Sequence, residues 1–312
     1  MRVIVFRLIQ VLLSPLAVIG SSIWGLSLIR EARRTGSSAT VLASCYPRWI
    51  LHHLRQRWDA PCVRMMKVLP TPIRLGLRYG TMPTIVAHAV TGYVPKPYRY
   101  PYQGQPPMIH QPVARTTFHD RALARHLPEV AQLVVLGAGF DTRSYRLPPG
   151  AVVQCFEIDT PGTQRVKREA LAKAGVEAGH VTFVPANFEE EDWFDNLLEA
   201  GFDPGRPAYF LWESVTMYLD RKAVERTLRR ISAPGSVVAF DYFTTVILRG
   251  NDPYSAYARW AADRIKEPFR FGIDQEEVPG FLESCGLRVE EQRSFNQDPV
   301  MAGFVTATVE RR

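Results

Sequence analysis

From residue 131 to residue 243 the chain repeats one pattern: a short run of apolar β-formers, a polar or glycine-containing break, then a stretch whose apolar residues recur at helical spacing. "AQLVVLGAG", "VVQCFEID", "VTFVPAN", "AYFLWES" and "SVVAFDYF" read as five strands. Between them, "PGTQRVKREALAKAG", "EEEDWFDNLLEAG" and residues 220–231 read as helices, with Pro161 in a favoured first turn, Gly201 as a stop and Asp220 as an N-cap. The acidic run of the second of these suits the positive end of a helix. The strands are apolar throughout rather than alternating, as expected when both faces of a parallel sheet are covered. After a helix at 274–285, "RVEEQRSF" and "GFVTATVERR" follow one another without a helix and so form a hairpin at a sheet edge. The expected class is α/β, a Rossmann-like, doubly wound, mostly parallel sheet finished by a C-terminal antiparallel hairpin. Val113 to His126 supplies a helix before the first strand, so the domain expected to carry the chemistry is 113–312.

The first 112 residues differ in kind. Leu8 to Ile29 is uncharged, mostly apolar and as long as a membrane span, with Arg2 and Arg7 before it and "REARR" after it. Gln10, Pro15, serines and glycines dilute it. Three readings stay open for this leader, residues 1–36: a membrane-associated or spanning helix, a helix packed on the protein, or a cleaved signal. Residues 37–90 read as several short helices interrupted by prolines at 47, 61, 70, 72 and 83, and residues 92–112 as a Pro/Tyr-rich connector or lid. The expected location is cytoplasmic, with membrane association resting on the leader.

The net charge of +7 is concentrated before residue 125, which either points that region at something anionic or reflects amphipathic helices with solvated basic faces. Four cysteines without a CxxC pair and seven histidines without HExxH spacing argue against a disulfide framework and a zinc site. A GxSxG elbow is absent, which disfavours a serine hydrolase. An Asn/Asp-Pro-Pro-Tyr element is also absent, and the basic residues precede the α/β fold, so nucleic acid is not the expected partner.

Ligands in such a sheet sit beyond the carboxyl ends of the strands. Gly137 and Gly139 open the first turn and are followed by Asp141 and Arg143. The third glycine of GxGxxG is replaced by Thr142, so the loop lacks the close-packing signature of a pyrophosphate site, and an ordinary tight turn remains an alternative. The second strand ends in Glu157 and Asp159, where a carboxylate accepts from a ribose diol or caps the next helix. Asn187 and Phe188 follow the third strand, an amide and a ring suited to adenine, although Phe188 equally suits a core. Glu213 follows the fourth strand, placed for an ammonium group, and Arg115 offers a partner to a carboxylate.

"ARTTFHD", "VVLGAGFDTRSYRL", "FEID-P-TQ--K" and "GFDP---AYFLWESVTMYL" together resemble the leucine carboxyl methyltransferase family, in its bacterial branch similar to tetracenomycin-type polyketide O-methyltransferases. The resemblance covers about Ala114 to Phe243. It implies a class I methyltransferase fold, S-adenosyl-L-methionine as cofactor, and methyl transfer to an oxygen, typically of a carboxylate. It further implies that Arg115 takes the cofactor carboxylate, Gly137 and Gly139 line the methionine part, Asp159 takes the ribose, Asn187 and Phe188 the adenine, and Glu213 the amino end. Tyr218 falls where the family has a tyrosine near the transferred methyl, the candidate catalytic position, and Arg143 faces cofactor or a substrate carboxylate. The family usually has Asp at the position of Asn187, and the apolar leader lies outside its common pattern.

An ionised carboxylate exposes its lone pair at neutral pH, so its methylation needs positioning and desolvation more than a base. His110 and His119 have no spacing that recommends either as one. The expected partner is therefore a small-molecule acid, bound in a pocket formed by the basic N-terminal region. The rivals are a nicotinamide-dependent oxidoreductase and a membrane-tethered, non-catalytic methyltransferase-like binding domain.

Overall fold

The computed structural model describes residues 1–37, 40–101, 107–188, 193–295 and 299–310, the side chain of Ile109 excepted. Its helices are α1 (Arg2–Leu12), α2 (Ser14–Thr35), α3 (Cys45–His53), α4 (Ala60–Val68), α5 (Thr71–Thr91), α6 (Gln111–His126), α7 (Pro161–Lys173), α8 (Trp193–Glu199), α9 (Arg221–Arg229), α10 (Thr245–Arg249), α11 (Pro253–Arg264) and α12 (Val278–Ser284). Its strands are β1 (Gln132–Leu136), β2 (Gln154–Asp159), β3 (Val181–Pro185), β4 (Ala208–Trp212), β5 (Val237–Phe243), β6 (Arg288–Phe295) and β7 (Ala302–Thr308). Two compact units interleave along the chain. Unit 1 is Met1–Gln103, Gly139–Arg146 and Gly162–Ala178; unit 2 is Gly104–Ala138, Leu147–Pro161 and Gly179–Arg312.

Unit 2 holds a seven-stranded sheet in the order β3-β2-β1-β4-β5-β7-β6. The first five strands pair in parallel and β7 runs antiparallel between β5 and β6. The terminal hairpin therefore sits at one edge, as the sequence predicts. β1 and β4 are buried along their whole length, which is why they carry no alternation. One face of the sheet packs Phe156, Phe210, Trp212 and Phe240 with residues of α8, α9 and α12. The N-cap assigned to Asp220 is present: its carboxylate accepts from the Ala223 amide at 2.7 Å. The helix expected over 274–285 is shorter. Its first residues form a turn in which Asp274 instead holds the Thr245 amide and hydroxyl, at 2.9 Å for both, and α12 starts at Val278. Helices α10 and α11 have no counterpart in the sequence reading. The acidic run 189–192, assigned to the start of α8, lies outside the described residues.

Unit 1 is helical. The leader is two helices, α1 and α2, bent by 58° at their junction, where Ser14-Pro15 opens α2. No single helix among the described residues is long and apolar enough to cross a membrane, although the bent pair passes that test together. The short helices expected over 37–90 are α3 and α4, but α5 runs 21 residues through Pro83. Contact with α2 explains its persistence. A Cβ on Gly76 would lie 2.5 Å from the Trp24 amide nitrogen, and one on Gly20 would lie 2.2 Å from that of Gly80, so the two backbones touch where only glycine fits. Of the connector 92–112, Lys96–Tyr98 and Met108–His110 form 3-10 turns, and 102–106 lie outside the described residues.

Candidate cofactor site

The strand order reverses between β1 and β4, and the loops beyond the carboxyl ends of these two strands meet. Gly137 has φ +63°, and a Cβ there would stand 2.4 Å from Cγ2 of Val215. The glycine thus answers two requirements at once, a left-handed turn and a close approach by the β4 loop. The turn is tied to β2 by the Ala138 amide, which donates to the Ile158 carbonyl at 2.9 Å.

Arg115, from α6, and Glu213, at the end of β4, form a buried pair with Arg115 Nε 3.2 Å from Glu213 Oε1. Arg115 Nη1 also reaches Asp241 Oδ2 at 3.5 Å and Gln111 Oε1 at 3.3 Å. Asp241, from β5, is fully buried and accepts the Ser214 amide at 2.6 Å, holding Ser214 at φ +66° directly after Glu213. A non-glycine residue in that region is strained, and here one carboxylate fixes both the strained turn and the arginine facing it. His119 stands near the same carboxylate, its Nε2 3.8 Å from Asp241 Oδ1, and among the described residues neither ring nitrogen has a hydrogen-bond partner.

The sequence reading above does not single out Asp241, although a lone aspartate in "SVVAFDYF" is the signal that finds it: a carboxylate in a buried strand is costly unless something holds it. Burial holds the His110 imidazole below its usual pKa.

On the other side of β1, Glu157 is buried and Asp159 half-buried at the end of β2. Asp159 Oδ1 accepts the Thr160 amide at 2.7 Å, which orients its carboxylate. β3 continues alongside, with the Ala186 amide donating to the Asp159 carbonyl at 3.0 Å, and delivers Asn187 and Phe188, both half-buried. The Phe188 ring lies 5.9 Å from Trp193 and 6.4 Å from Trp212, at the margin of the core. Tyr218 is half-buried in a 3-10 turn beyond β4, its ring 5.8 Å from that of Phe269.

The remaining three predicted residues belong to unit 1. Gly139 has φ +41°. Asp141 is paired with Arg143 and with Arg48 of α3, at 2.7 Å for Arg48, and accepts the Arg143 amide at 2.7 Å. Thr142 donates to Asp59 at 2.8 Å, and Asp59 pairs with Arg57 while capping α4 through the Cys62 amide at 3.1 Å. Asp141 and Arg143 therefore hold this loop onto the helices of unit 1. Burial pushes the Asp59 pKa up, but Arg57, Arg146 and the Thr142 hydroxyl outweigh it and leave the carboxyl below its usual value.

The strand order and the polar groups at the carboxyl ends define a class I methyltransferase fold. Residues 92–232 match the family model described as leucine carboxyl methyltransferase. It is 35% identical over 181 residues to a protein of Mycolicibacterium vanbaalenii named, by inference, an S-adenosyl-L-methionine-dependent methyltransferase, covering 56% of each chain. A Bacillus subtilis protein with the same kind of name is 31% identical over 191 residues, 59% of this chain and 62% of its own. The match thus spans little more than half the length of these curated relatives. Among solved structures, a candidate exported protein from Bordetella parapertussis aligns over 93% of this chain and 97% of its own, at 16% identity and a TM-score of 0.47.

Proposed function

We propose that the protein is an S-adenosyl-L-methionine-dependent O-methyltransferase whose acceptor is a carboxylate or acidic hydroxyl of a small, polyketide-like metabolite. The observation that carries the cofactor assignment is the buried pair of Arg115 and Glu213 at the strand reversal. An arginine and a carboxylate held side by side at 3.2 Å can exchange one another for the carboxylate and ammonium of an amino acid. The rest of the donor set fits the nucleoside: Asp159 for the ribose diol, Asn187 for the adenine amine and Phe188 for its face.

The cofactor supplies an electrophilic methyl group on a sulfonium sulfur. The protein's work is placement. Arg115 and Glu213 fix the amino-acid end, Asp241 holds Arg115 and the turn after Glu213, and Tyr218 is the candidate beside the methyl. An acceptor carboxylate arrives ionised, so no side chain has to remove a proton from it. Carboxylate and sulfonium lose their charges together in the displacement, which a site shielded from water favours.

Incubation of purified protein with the cofactor and a panel of paired acids, phenols and neutral alcohols, read by mass spectrometry, tests the acceptor class. The reading predicts methyl esters from acids or ethers from acidic hydroxyls, and none from the neutral alcohols. Equal turnover of an acid and its alcohol analogue overturns it.

A further inference from the structure

The N-terminal helices carry large apolar residues on their outer faces as well as their inner ones. Eleven apolar side chains within the first 26 residues are exposed, and Ile4, Leu8, Val11 and Leu12 line one side of α1 at helical spacing. The inner side of α1 packs within unit 1: Gln10 donates to Thr84 of α5 at 3.1 Å, and the buried Phe6 meets the edge of Tyr93 at 5.2 Å. α2 also exposes apolar residues. Gly20 approaches α5 backbone to backbone, while Leu16, Val18, Ile19 and Leu26 face outward. Small residues at a helix contact with large apolar residues outside are the packing of helices that have lipid as their solvent.

Charge selects the kind of lipid. Residues 1–103 contain fourteen arginines and lysines against two acidic residues, Glu31 and Asp59, a net +12, so the remaining 209 residues carry −5. Arg2, Arg7, Arg30, Arg33, Arg74 and Arg78 are all exposed on the helices that carry the apolar face or on α5 beside them. Juxtaposed apolar and basic surface fits an anionic leaflet. It disfavours a second copy, which would bring +12 against +12.

Length decides how the helices sit. α1 has 11 residues, and the uncharged part of α2, 14–29, rises about 24 Å, short of a bilayer core of about 30 Å. The 58° bend separates the two segments. We propose that the outer faces of α1 and α2 embed in the headgroup and acyl boundary of one anionic membrane leaflet, making this a monotopic membrane-surface protein. The inference is independent of the proposed reaction, because none of these residues belongs to the cofactor site.

The test is flotation of the full chain with vesicles of phosphatidylcholine alone or mixed with phosphatidylglycerol, at low and high salt, beside analytical ultracentrifugation without lipid. The expected result is co-flotation with anionic vesicles, weakened by salt, and a fall of roughly tenfold or more in partitioning for Leu8→Ser/Leu12→Ser/Ile19→Ser. Circular dichroism melting and S-adenosylhomocysteine binding of that variant should match the original, which separates a lost membrane surface from a lost fold or a failed cofactor assignment. Protein that stays out of the floating fraction with either vesicle, or a triple variant that floats like the original, overturns the proposal. So does concentration-dependent self-association that the same substitutions abolish, with no vesicle binding.

Discussion

Asp241 joins several parts of the candidate cofactor site, although the sequence reading does not single it out. It holds the Ser214 amide in its strained turn, reaches Arg115 and has His119 beside it, all from within a strand. Asp241→Asn keeps the shape but removes the charge that faces Arg115, and is expected to cost about 1–3 kcal/mol of stability. Urea denaturation monitored by tryptophan fluorescence measures it, and an unchanged midpoint counts against this role. Glu213→Gln should leave the fold intact and weaken S-adenosylhomocysteine by roughly ten- to a hundredfold, the scale of one charged hydrogen bond, in a calorimetric titration. An affinity equal to the original protein's would remove Glu213 from the site.

At the scale of elements, the parallel strands were legible because burial on both faces leaves an unbroken apolar run, and Asp220 because an N-cap speaks to an amide three residues away. Other features depend on distant partners. Nothing local in "TPIRLGLRYGTMPTIVAHAVT" says that a helix survives Pro83; the contact of Gly76 and Gly80 with α2 does. The single apolar leader became two helices at Ser14-Pro15, and 244–273 has periodicity too weak to reveal α10 and α11. At the candidate site, strand-end position marks Glu213 and Asp159 and the start of the preceding helix marks Arg115, whereas the link from Asp241 to Arg115 spans 126 residues.

The β1 turn gives an element-scale prediction: Gly137→Ala combines a left-handed backbone with a contact to Val215 and should cost about 1–2 kcal/mol or more, read as a lower urea midpoint. The loop after it gives another. Because the folded pKa of Asp59 lies below its usual 3.8, the unfolded chain takes up the proton first as pH falls. The stability Asp59 contributes is complete above that value and drains away below it. Stability curves of the original and Asp59→Asn should therefore lie apart at pH 7 and converge on acidification below about pH 4. A gap that stays constant with pH contradicts the assignment.

At the scale of the whole molecule, the chain divides its chemistry by sequence as well as by structure. A basic stretch of net +12 precedes a longer one of net −5, and Arg115 of α6 and the strand ends that carry Asp159, Asn187 and Glu213 all belong to the second. The class of ligand rests on those four residues acting together, and calorimetry of the full chain tests them directly. S-adenosyl-L-methionine, S-adenosylhomocysteine and NADH would each be titrated into the original protein and into Asp159→Ala. The account predicts that both adenosyl ligands bind, that NADH does not, and that Asp159→Ala loses most of the affinity while keeping its fold. Binding of NADH, or a folded protein that takes up neither adenosyl ligand, would contradict it.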